Sequence, residues 1–218
     1  MKRGVQTSTS PAAIWAAATL IAFQASGSIA TASTGPARSA CEQEIAAVDQ
    51  AVKLRDGGKE APAEKLLIPV LAKQPNDFRA NFVMGTVQLQ RGGKHKAAGL
   101  NYLLKSEMLL PSQPAGCASK MGWYSVYNVI GVEYYREGDL NKADHYFHLA
   151  DAHFADLFKK TQRDVKSNLG LVAFARGDFS GAISAYQVAE KLGDQQAKEK
   201  IATITKLQGG MPKQAKGR

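Results

Sequence analysis

The chain has 218 residues, 44% apolar and 22% charged, enough for one ordinary domain or one short solenoid with a buried core. That balance excludes a disordered or low-complexity chain. The formal charge of +9 sits mostly at the ends: Lys2 and Arg3 open the chain, and from Gln195 onward six basic residues stand against Glu199, a net of +5. The basic balance is therefore a property of the tail. It suits weak contact with an anionic membrane or wall surface, and no nucleic-acid partner is expected.

Ala12 to Phe23 is an apolar run of 12 residues broken only by Thr19, too short for the roughly 20 that span a bilayer. Small residues follow at Ser28-Ile29-Ala30 and Ala30-Thr31-Ala32. The pattern reads as a secretory signal peptide over 1–32, with a flexible lead-in over 33–43. Arg38 stands three before Cys41, where a lipoprotein signal carries an aliphatic residue. The expected location is exported, periplasmic or secreted. In such an oxidising compartment Cys41 and Cys117 are candidates for a disulfide. Spacing alone leaves open the alternative of two separate buried thiols.

A repeat is written in the small residues of 44–208. Gly131 is followed by Gly138, Ala143, Phe147 and Ala150 at offsets of 7, 12, 16 and 19, and Gly170 by Gly177, Ala182, Tyr186 and Ala189 at the same offsets. Upstream, Ala51 leads Gly58, Ala63, Leu67 and Val70. Gly85 leads Gly92 and Ala97, then Asn101 and Leu104, where the pattern degrades. Offsets of 12, 16 and 19 share one helical face. The leading small residue lies on a preceding helix and admits the second one closely. The glycine at offset 7 ends the first helix, and Gly138-Asp139 and Gly177-Asp178 make the turn. Steps of 34, 46 and 39 residues between leading positions place insertions in two units. The second helix of the third unit is expected to run on to about Lys160.

Ile130-Gly131 with Tyr134, Leu169-Gly170, the two second-helix triplets and the Pro75-Asn76-Asp77 turn resemble the tetratricopeptide repeat family over about Glu44 to Asp194. Two departures are a long loop near Pro111 to Gly122 and the missing closing proline after Ala155 and Asp194. The resemblance implies an all-α, right-handed solenoid of about four helix–turn–helix repeats. A capping helix is expected to follow, with Ala197, Ile201 and Ile204 inward and Lys198, Lys200, Thr203 and Lys206 outward. Gly209-Gly210 would end it before a basic disordered tail over 209–218.

The resemblance also implies a concave face, lined by first helices, that holds another protein or peptide. Counted from Gly85, Gly131 and Gly170, that partner-binding groove carries Arg79, Phe82, Thr86, Leu89, Ser125, Asn128, Val132, Tyr135, Arg136, Asp164, Ser167, Leu171 and Phe174. Arginines there suit carboxylates, and Phe82, Tyr135 and Phe174 suit apolar side chains.

No catalytic constellation stands out: there is no Gly-x-Ser-x-Gly elbow and no phosphate-binding glycine loop. Gly57-Gly58-Lys59 and Gly92-Gly93-Lys94 fall at hairpin turns. His145 and His148, near His153, Asp144 and Asp151, have a spacing that can share a metal. Solvated histidines are the ordinary outcome on an outer helix, so no metal and no cofactor are expected. The expected function is an exported protein-binding scaffold. The alternative is a cell-envelope attachment protein that docks on anionic lipid or wall polymer through its tail.

Overall fold

The computed structural model describes residues 46–113 and 122–210. The expected signal peptide and lead-in, the two candidate cysteines Cys41 and Cys117, and residues 211–218 lie outside the described residues. Nine α-helices follow one another in the described chain: α1 (Ala46–Asp56), α2 (Glu60–Lys73), α3 (Phe78–Arg91), α4 (Lys96–Leu109), α5 (Ser125–Glu137), α6 (Leu140–Ala152), α7 (Lys159–Ala175), α8 (Phe179–Lys191) and α9 (Ala197–Gly210). They pack as sequential antiparallel pairs, α1 with α2, α3 with α4, α5 with α6 and α7 with α8, and α9 lies on α8. No strand occurs among the described residues.

The turns explain the pairing. Gly138 and Gly177 have φ of +82° and +79°, the left-handed region where a side chain is strained. Each closes its helix and hands the chain to an aspartate. The Asp139 and Asp178 carboxylates accept from the backbone N–H groups of Lys142 (3.0 Å) and Gly181 (2.9 Å), capping α6 and α8. Asp77 does the same for α3 through the N–H of Ala80, at 2.6 Å.

Within a pair, the leading small residue sets the approach. A Cβ on Gly131 would stand 2.6 Å from the Phe147 ring, and one on Gly170 would stand 2.9 Å from the Tyr186 ring. Ala143, Phe147 and Ala150 are buried, as are Ala182, Tyr186 and Ala189, so both second-helix triplets face inward as the spacing requires.

No pair closes its own core. Val48, Ala51, Ala63, Leu67, Ala80, Val83, Met84 and Val87 form one cluster across α1, α2 and α3. Ala143 and Phe147 pack with Val172 of α7, and Ala150 packs with Leu157 and Val165. Each of these clusters is completed by a helix of the next hairpin. Full burial of a Leu- or Phe-sized side chain stabilises by about 1.5–3 kcal/mol, so packing between hairpins adds to the packing within them.

Three expectations are corrected. In α4 the inward triplet is Gly99, Leu103 and Ser106, while Ala97 and Asn101 are exposed. A 3₁₀ turn, Gly93–His95, adds two residues to this hairpin. His95 Nδ1 lies 2.9 Å from Gln88 Oε1, which pins the enlarged turn to α3. Next, α6 does not run on to Lys160. It stops at Ala152, the chain makes a 3₁₀ turn at Phe154–Asp156, and α7 starts at Lys159. Finally, α9 buries Lys200 with Ala197 and Ile204 rather than turning it outward, and it continues through Gly209 to Gly210.

Candidate partner-binding face

The first helices of the four hairpins are α1, α3, α5 and α7, and the expected groove residues lie on α3, α5 and α7. Neighbouring first helices are tied together in two places, α1 to α3 and α5 to α7. On the first side Asp49 forms an ion pair with Arg79, and Arg55 Nη1 donates to Thr86 Oγ1 at 2.9 Å. Arg55 is buried and also lies 2.8 Å from Asp56. Thr86 passes its own proton to the Val83 carbonyl at 2.8 Å. A buried cation thus has a carboxylate and a hydroxyl acceptor, the condition for keeping it there.

On the second side Asn168 Nδ2 donates to Asn128 Oδ1 at 3.0 Å. Ser167 of the same helix donates to the Asp194 carboxylate just before α9. These contacts run in order along the chain: α5 to α7, and α7 to the joint that leads into α9.

The candidate residues divide by exposure. Thr86, Leu89, Leu171 and Phe174 are buried, 2% to 8% exposed. Arg79, Asn128 and Ser167 are engaged by Asp49, Asn168 and Asp194. Phe82 is half-buried, its ring 6.1 Å from Phe78, which in turn lies 4.8 Å from Trp123. Ser125, Val132 and Tyr135 are half-buried and Arg136 is exposed. Arg136 Nη1 reaches the buried Glu133 carboxylate at 3.2 Å, and Lys96 Nζ approaches it at 3.6 Å from α4.

The face has a distinctive electrostatic point at Asp164. Its carboxyl is pushed above the usual carboxylate range by burial, despite the guanidinium of Arg163 at 2.9 Å. Burial likewise raises the Tyr135 phenol. The surface between α5 and α7 is thus polar, partly dry and hydrogen-bonding rather than strongly charged.

Sequence counting missed Asp49, Arg55, Asn168 and Asp194. The reason is specific for Asn168. It stands two before Gly170, whereas Asn128 stands three before Gly131. The two asparagines are therefore at non-equivalent positions of their repeats, and an offset ruler cannot pair them.

The histidines are held separately. His148 lies 3.6 Å from Asp144, His145 meets the Tyr146 ring edge-on, and His153 stacks on Tyr124 with centroids 3.7 Å apart. Among the described residues no group of three or more His, Cys, Asp or Glu is gathered closely enough to hold a metal ion. No protein-family model matches this sequence, and no curated protein matches it.

Proposed function

We propose that this protein is an exported scaffold of the tetratricopeptide-repeat kind, a right-handed solenoid that holds a polypeptide in the concave face formed by its first helices. The observation that carries this reading is the polar tie between α5 and α7. Asn168 donates to Asn128 at 3.0 Å, and Ser125, Val132 and Tyr135 lie half-buried on the same helix as Asn128. Asn168 is buried and holds the half-buried Asn128 in place, leaving the Asn128 amide N–H groups and the Ser125 and Tyr135 hydroxyls to suit a peptide backbone, which offers an acceptor at every residue. Tyr135 adds an amphipathic ring of the type enriched at interfaces. Arg136 adds a cation at the rim.

The test is gentle crosslinking in cell envelopes, recovery of the protein and mass spectrometry of what comes with it. A polypeptide recovered with the wild type and lost from Asn128→Ala/Tyr135→Ala, with helicity unchanged, supports the reading. Equal recovery with both removes this face from the model.

A second reading rests on the tail, with six basic residues against one acidic from Gln195 onward. In that reading the protein is held at the envelope by anionic lipid or wall polymer. Deletion of 209–218 would then release it, and retention would fall as salt rises.

A further inference from the structure

The last described helix, α9, differs from the other described helices in how it is held. It packs mainly on one neighbour, α8. Its buried residues are Ala197, Lys200 and Ile204, with Ile201 half-buried beside them. Lys200 therefore sits in the middle of a small apolar face and is only 5% exposed. Its ammonium lies 5.0 Å above the Tyr186 ring. Among the described residues no carboxylate is within ion-pair distance of it; Asp194 acts on it from farther away.

A buried charge without a close counter-charge costs free energy that the face around it must offset. The offset here is limited to one alanine, one buried isoleucine, one half-buried isoleucine and a cation–π contact. Burial also holds the Lys200 amine below the usual lysine range, with Asp194 only partly opposing it. Burial raises the Tyr186 phenol, with smaller effects from Tyr135 and Asp194, so the ring under the ammonium stays neutral.

We infer that α9 is a displaceable cap on α8, built with Lys200 in its docking face so that it opens before the other described helices. Local opening of this kind belongs to elements with few buried apolar contacts. The joint has a second consequence. Asp194 lies three residues before α9 and accepts from Ser167 on α7, so release of the cap loosens a residue of the candidate partner-binding face. The inference about α9 does not depend on what that face binds.

The test is native-state hydrogen exchange on the full chain, read by mass spectrometry. In the wild type, amides of 197–210 should exchange through openings that leave α7 protected. Lys200→Met keeps the length of the side chain and removes its charge. It should slow exchange in 197–210 about tenfold, consistent with relief of a buried polar group, and leave α5 and α7 unchanged. Ile204→Ala should speed exchange in α9 alone. The inference is overturned if α9 exchanges together with α7 in the wild type, or if Lys200→Met leaves α9 exchange where it was.

Discussion

The Phe147 ring occupies the space that a side chain on Gly131 would need: its nearest carbon is 2.6 Å from the Cβ position. The ring is buried and also packs near Val172 of the next hairpin. The pair therefore sets both the distance within the third hairpin and the seat of the fourth. Gly131→Ala should destabilise the fold by about 1–3 kcal/mol through overpacking, although alanine is the better helix former by about 1 kcal/mol. In a Phe147→Leu background the same change should cost much less. Urea unfolding of the four proteins measures this as a coupling energy, and additive losses would refute the steric account.

Leu103 takes the same role in the second hairpin. A Cβ on Gly85 would meet its Cγ at 2.7 Å, and Leu103 is fully buried. Leu103→Ala should cost about 2–5 kcal/mol. Asn101→Ala, at the position the uniform spacing favours, should stay within about 0.5 kcal/mol, as exposed substitutions do. Denaturant midpoints of the two variants decide between the registers.

That contrast shows what the sequence reveals and what it conceals. The third and fourth hairpins are legible because glycine, alanine and aromatic recur at fixed offsets: Gly131, Gly170 and both second-helix triplets are buried, and Gly138 and Gly177 stand exposed at the turns. The second hairpin follows the same spatial rule, but Gly93–His95 adds two residues and shifts Gly99, Leu103 and Ser106 off the ruler. Spacing along a chain reports packing only while turn length is constant. The inter-helix ties are less legible still. Arg55 with Thr86, and Asn128 with Asn168, are separated by 31 and 40 residues, and their pairing depends on how hairpins stack. Lys200 was hidden for another reason: a lysine is ordinarily read as solvated, and only the stacking of α9 on Tyr186 puts it inside.

Gly177 should be a sensitive position for backbone reasons alone. Its φ is +79°, and nothing lies within 4 Å of where its Cβ would be. Gly177→Ala thus meets no clash, and its expected cost of about 1–2 kcal/mol comes from the left-handed conformation. Gly177→Asn should recover part of that loss, because asparagine tolerates this region. Thermal unfolding of the two variants measures the ordering, and an alanine variant as stable as wild type would contradict it.

Asp164 offers a test in pH. Burial raises its carboxyl above the unfolded value of 3.8, with Arg163 only partly opposing the effect. The folded protein therefore holds this proton to higher pH than the unfolded chain does. The stabilising contribution is complete below about pH 3.8 and is lost as pH rises through the folded value. At neutral pH the ionised group is a burden on the face between α5 and α7. Asp164→Asn, which keeps the shape and cannot ionise, should melt above wild type at pH 7. The gain should shrink as pH falls and disappear at about pH 3. Its melting temperature relative to wild type at the two pH values checks the sign. A variant that melts below wild type at pH 7 would mean that the Arg163 contact at 2.9 Å outweighs the cost of burial.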